Sequence, residues 1–429
     1  MKIKFVNHAS AIIDCGDVKI LTDPWYCGSP FNNGWSLLVE SDIDINSLDF
    51  NYLWYSHEHP DHFSIQDLKK INEKKKKEIT ILFQKTADQK VKYFCQKLGF
   101  EILELDPLEF YYLNDKVQIG CGTEGGFDSW LSVSYKNKTL LNINDCRLET
   151  EDDLLPVKKL LGDIDVLMTQ FSWANWVGNK GDNRAIEISR NMVHVKNDAQ
   201  IKILDPKFII PFASFAWFSH EENSFCNDDA ITVEEFSNRY SDRKVITMYL
   251  GDEWKVGEEA DCSEAILKWM EVDPKHRRPI HFTNSVSHEA LQESFKFMKS
   301  KLKEKNDWSS ILELKNSGYL EECSVRLNDL GTSFVFDFTK EKLTETSDQP
   351  DIEMGSESFD YLMRNSWGRG TLMINGRFKA NYKSLYKFLR QTHIYYGNNI
   401  GKTFPKDIKK EEIINPKCFV FETIKGPKK

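Results

Sequence analysis

Apolar runs rich in β-branched and aromatic residues, separated by polar turns, recur along the first half of the chain. They predict strands near 2–7, 9–14, 17–22, 51–56, 79–83, 101–104, 116–120, 130–135, 138–144, 164–169 and 207–211. Segments between them carry helical patterns over 63–75, 86–98, 152–160, 183–204 and 231–239. Alternation of this kind predicts an α/β fold in which two sheets pack face to face with helices outside, an αβ/βα sandwich. After residue 220 the pattern changes. Residues 221–275 read as polar and irregular, 285–304 as a charged helix and 318–340 as strands; the Thr, Ser, Asp and Glu of 344–358 predict an exposed loop. Beyond it, 359–363, 371–378 and 382–396 suggest helix, strand and helix. The expected organisation is a main domain over 1–274 and a C-terminal α+β accessory region over 275–429 that covers the active-site side.

The apolar run Leu53-Trp54-Tyr55 ends in Ser56-His57-Glu58-His59-Pro60-Asp61-His62. Three of the ten histidines in 429 residues fall within six positions, which is metal-ligand spacing rather than a polar loop. On an extended exit from the strand, His57 and His59 point to one side at period two. Pro60 breaks the strand and a helical pattern begins at Phe63, so Asp61 and His62 turn away and can serve a neighbouring ion.

This H-x-H-x-D-H pattern resembles the signature of the metallo-β-lactamase superfamily, and the rest of the chain carries that family's other marks. The resemblance implies that Asp23, after 18–22, supports the ligand histidines, that Asp145, after 139–144, bridges two metals, and that His220, after the run from Phe208, is a further ligand. Asn7-His8-Ala9-Ser10 is similar to the opening strand of some members; there His8 is either a proton donor near the metals or a satisfied core histidine. One motif departs. The family places another metal-binding His between His62 and Asp145, and this chain has none there. Glu124, flanked by Gly122, Gly125 and Gly126 that let backbone approach an ion, is the expected replacement, with Asp128 as competitor.

A carboxylate in that place enriches the site in hard oxygen and shifts its preference toward iron or manganese. Glu at this motif resembles the di-iron β-hydroxylase of chloramphenicol biosynthesis. The stretches 7–25, 34–38, 55–69, 138–146 and 211–220, with a looser match through 359–398, resemble the CMP-N-acetylneuraminate hydroxylase family, although the C-x-H…C-x-x-H Rieske ligands of that family are missing. The resemblance implies a dinuclear iron oxygenase acting on a small polar, carrier-bound or nucleotide-linked substrate. Its dioxygen chemistry would draw electrons from a separate ferredoxin or flavoprotein. The alternative is a dinuclear zinc (or manganese) hydrolase of an ester, amide or phosphodiester.

Composition narrows the partners. A net charge of −9 argues against a nucleic-acid substrate, and the basic run Lys69-Lys70 with Lys74 to Lys77 reads as a solvated helix face. Nine cysteines without C-x-x-C pairs, an opening strand instead of a leader and no apolar run of membrane-spanning length set the expectation of a cytoplasmic protein away from membranes. Arg147 and Arg184 are candidate clamps for a substrate carboxylate or phosphate, and Trp25, Trp35, Trp173 and Trp176 candidate pocket walls.

Overall fold

Both faces of the first sheet are apolar, which fixes where it sits. In the strand Tyr52–Tyr55, Trp54 packs into one hydrophobic core while Leu53 and Tyr55 pack into another. Thr80–Gln84 repeats this, with Leu82 on one side and Ile81 and Phe83 on the other. A sheet with no polar face is covered on both sides. The computed structural model, which describes residues 1–40, 42–124 and 127–416, shows the cover.

The first sheet has seven strands, in the order Glu253–Lys255, Lys2–Asn7, Ser10–Asp14, Lys19–Thr22, Tyr52–Tyr55, Thr80–Gln84 and Glu101–Leu105. The last four run parallel. The second has six, in the order Phe208–Phe212, Val166–Gln170, Lys138–Asn144, Asp128–Tyr135, Val117–Glu124 and Phe110–Tyr112, and its first three are parallel. Ile13, Ile20, Trp54 and Leu82 of the first sheet share a core with Ile119, Leu131, Leu140 and Met168 of the second. Helices cover the outer faces, Ile65–Lys70 and Lys90–Lys97 on the first, Glu151–Leu161 and Asn183–Leu204 on the second. This is the predicted αβ/βα sandwich.

A separate core gathers Leu291, Phe295, Val325, Phe336, Ile352, Phe359, Phe388 and Ile413 with Trp176. It is built on a five-stranded sheet whose centre is Cys323–Leu327, flanked by Thr332–Phe336 and Ile352–Met354. Two expectations fail in this region. Ile352–Met354 lies inside the expected exposed loop, yet Ile352 and Met354 are fully buried between Cys323–Leu327 and Phe378–Ala380; polar flanks hide a three-residue strand. The expected strand 371–378 is mostly the helix Gly368–Asn375. Gly376, at φ 66°, ends that helix in the left-handed conformation glycine favours, and the strand begins only at Phe378. Likewise 221–275 is not all irregular, since Ser263–Glu271 is helical and Trp269 packs into the central core. Among the described residues no helix is long and apolar enough to cross a membrane, and the described cysteines are free.

Candidate metal centre

Parallel strands end level with one another, so residues just past their carboxyl ends collect along one edge. In the first sheet Thr22 pairs with Trp54, which sets Asp23 beside the exit of Tyr52–Tyr55. In the second, Asn144 pairs with Thr169, which sets Asp145 beside Gln170. The two edges face each other, and the chain turns sharply there. His8, Asp23, Asn144 and Ala213 all have positive φ, a costly conformation for residues with a side chain that clusters at functional sites.

Asp23 ties the two edges together. Its Oδ1 accepts the Ser56 N–H at 2.8 Å; Oδ2 accepts the Ser56 hydroxyl at 2.7 Å, the His62 Nδ1–H at 2.9 Å and the Asn144 amide. Ser56 Oγ in turn lies 2.9 Å from His57 Nδ1. With both Nδ1 atoms engaged, the Nε2 atoms of His57 and His62 face the space between the sheets.

Three groups of ligand atoms converge on that space, each within 4.8 Å: His57, His59 and Asp128; His57, His62 and Asp145; His8, Asp61 and His62. His62 Nε2 stands 3.4 Å from Asp145 and 3.5 Å from Asp61, and His8 Nε2 stands 3.5 Å from Asp61. His62 Nε2, Asp61 Oδ1 and Asp128 Oδ1 are buried without a hydrogen-bond partner among the described residues. Three buried ligand atoms left without partners around one centre fit a cation.

The electrostatics fit as well. Burial pushes the imidazoles of His57 and His59 below their usual range, His57 further because His62 and His59 crowd it. Burial would also lower His62, but Asp61, Asp145 and Asp23 outweigh it and raise His62 well above the usual range. Asp128 is driven well above the usual carboxylate range by burial and by its neighbours Asp145 and Glu124. A bound cation would relieve that crowding of carboxylates.

The sequence-derived candidates fall into two sets. His57, His59, Asp61, His62 and Asp145 come together, Asp23 supports them, and His8 joins them, its ring edge-on to Trp25 and His62. Glu124 does not join them. It stands directly across the hairpin from Asp128, and it is Asp128 that reaches His57 and His59, while Glu124 Oε2 accepts the Arg147 N–H at 3.3 Å. His220 belongs to none of the three groups. It sits past the short strand Ala216–Phe218 with its Nδ1 accepting the Glu222 N–H at 3.2 Å, and burial and Arg377 hold its imidazole down to about 3. Arg147 lines the site cavity, whereas Arg184 is exposed on the first turn of Asn183–Leu204. Trp25, Trp35 and Trp173 line cavities at the site; Trp176 packs on Phe378 in the other core.

Ser56, Asn144, Gln170 and Lys196 escaped the sequence reading. For Asn144 and Gln170 a signal existed, an amide closing an apolar strand beside a candidate ligand position. Gln170 Nε2 donates to Asp145 Oδ1 at 2.9 Å.

Two cavities open on His59. One, of about 210 Å³, runs from His59, Asp61, Asp128 and Asp145 to Arg147, Trp173 and Lys196. The other, of about 540 Å³, runs from His59 between Phe63, Phe94 and Phe127 on one side and Tyr361, Trp367 and Tyr396 on the other. Phe31, His59 and Ile374 line both.

The cytidine monophosphate-N-acetylneuraminic acid hydroxylase of Danio rerio is 24% identical over 259 residues, covering 53% of this chain and 40% of the relative. The human protein, described as an inactive form of that hydroxylase, is 25% identical over 246 residues, covering 53% and 48%. The chain thus spans less than half the length of these curated relatives. Among solved structures, a diiron β-hydroxylase from Streptomyces venezuelae superposes with a TM-score of 0.45 at 14% identity, covering 59% of this chain and 54% of that one. An isothiocyanate hydrolase from Delia radicum gut bacteria gives 0.41 at 14% identity, covering 60% and 99%. Residues 2–213, which carry Asp23, the histidine cluster, Asp128, Asp145 and Gln170, match the beta-lactamase superfamily domain, and this part of the chain belongs to that superfamily.

Proposed function

We propose that the protein is an oxygenase that holds two iron ions between its sheets and oxidises a small polar, carrier-bound or nucleotide-linked substrate. The observation that carries this reading is the donor set, in which three carboxylates, Asp61, Asp128 and Asp145, stand among the four imidazoles. Hard oxygen at that density favours iron or manganese over zinc. Relatives named as hydroxylases support the same class of chemistry.

His57, His59 and Asp128 would hold one ion and His8, Asp61 and His62 the other, with Asp145 between them. The ions, when bound, supply the redox chemistry of dioxygen that side chains cannot. The chain's own residues do the rest. Asp23 and Ser56 fix which ring nitrogen of His57 and His62 carries the proton, Gln170 holds Asp145 in orientation, and Trp35, Trp173 and Phe31 keep bulk water from the ligands. Electrons would come from a separate ferredoxin or flavoprotein, and residues 275–429 would act as an accessory region that walls the larger cavity through Tyr361, Trp367 and Tyr396.

A zinc hydrolase is the second reading, favoured by the imidazole count. Metal analysis after anaerobic purification, with oxygen uptake measured under a chemical reductant, decides between them. Iron near two per chain and reductant-dependent uptake support the oxygenase; two zinc ions with turnover of esters or amides reverse the order.

A further inference from the structure

Lys196 is a charged side chain in an unusual position. It projects from the helix Asn183–Leu204 and is only 8% exposed, lining the same cavity as His59, Asp61, Asp128 and Asp145. No carboxylate lies within ion-pairing distance of it among the described residues. Its acceptor there is Gln170 Oε1 at 3.4 Å, and the other end of that amide holds Asp145.

A buried ammonium without a counter-charge costs several kcal/mol, so a fold that keeps one lets it meet an anion at some stage of its work. Asp145 cannot be that anion directly, since Gln170 stands between them. The other buried lysine among the described residues is paired conventionally: Lys299, 6% exposed, meets Glu341 at 2.7 Å and the carbonyl of Lys340 at 2.8 Å. The cavity beside Lys196 is also walled by Phe31, Trp35 and Trp173, flat apolar surfaces that suit the body of a small organic acid.

We propose that Lys196 is the anchor for a substrate carboxylate, holding it across the cavity from the metal-ligand cluster. This rests on reading the cavity as the working site, and it holds for either an oxygenase or a hydrolase. A carboxylate suits the geometry better than a phosphate, because one ammonium beside a neutral amide matches a single negative charge, whereas a phosphate calls for several donors. Arg147, at the mouth of the same cavity and hydrogen-bonded to Glu149, is positioned to steer the anion inward.

The test uses the iron-loaded full chain, with benzoate, benzamide and inorganic phosphate titrated by calorimetry. Lys196→Met keeps the volume and removes the charge; Lys196→Arg restores a cation and guards against misreading a variant that folds poorly. Benzoate should bind wild type and lose about tenfold to a hundredfold in affinity in Lys196→Met, the scale of a hydrogen bond to a charged group. Benzamide should bind both alike, and Lys196→Arg should recover most of the benzoate affinity. Equal benzoate binding in wild type and Lys196→Met, an equal loss for benzamide, or Lys196-dependent binding of phosphate tighter than that of benzoate would each overturn the proposal. Metal content measured on the same samples separates the two levels. Wild type that holds no iron removes the oxygenase reading, while Lys196-dependent benzoate binding stands or falls by itself.

Discussion

His62 Nδ1 lies 2.9 Å from Asp23 Oδ2, and both side chains are fully buried. That contact fixes the proton on Nδ1 and turns Nε2 toward Asp61 and Asp145. Asp23→Ala should therefore remove no candidate ligand but free the His62 ring to turn, lowering metal affinity or activity by about tenfold to a hundredfold. Competition with a calibrated chelator measures it. Asp145→Ala should empty at least one position and abolish turnover.

Asp128 and Glu124 face each other across one hairpin but differ in what they reach. Asp128→Asn should lower the metal content of the position formed with His57 and His59, whereas Glu124→Gln should leave the content near wild type. Metal analysis of the two variants side by side is the check; loss in Glu124→Gln with retention in Asp128→Asn would reassign the ligand.

Metal removal should destabilise the fold. A ligand that binds only the native state stabilises it by about 2.7 kcal/mol at a hundred times its Kd. Adding a chelator should lower the melting temperature of wild type, and lower that of Asp145→Ala by less.

Asp165 gives the pH dependence. Burial would raise its pKa, but the Thr139 N–H at 2.9 Å, Lys207 at 3.0 Å and Lys138 bring it below the usual carboxylate value. A carboxyl depressed in the folded state adds stability above its unfolded pKa, and that stability is lost as pH falls through the folded value. Asp165→Asn should cost about 2 kcal/mol near neutrality and progressively less in acid, read from urea unfolding at several pH values.

Arg377 is fully buried between Glu222 at 2.8 Å and Glu357 at 2.7 Å, and it also donates to the Asn32 carbonyl. Arg377→Ala leaves two carboxylates without their partner, an expected loss of about 3–5 kcal/mol in calorimetry or denaturant unfolding.

The histidine-rich part of the candidate centre was legible because its residues are contiguous. His57 to His62 carry their spacing in the chain itself, and Asp23 and Asp145 show as lone carboxylates closing apolar strands. His220 follows an apolar run in the same way, but three residues of the short strand Ala216–Phe218 redirect it into the Arg377 network, a turn that no local pattern announces. The glycines around Glu124 favour it over Asp128 in the sequence, and the hairpin geometry reverses that order, bringing Asp128 to His57 and His59. Lys196 was illegible for a different reason: one lysine on a long amphipathic helix looks like any solvated lysine until the sheet packs against it.

The residues that would hold the ions all lie before residue 146, while Tyr361, Trp367, Ile374 and Tyr396 wall the cavities from the last third of the chain. The cage and this part of its walls therefore come from separate stretches of sequence. Substitutions among the distant wall residues can resize the opening without disturbing a single ligand, so a lineage can change what it admits while keeping what it does.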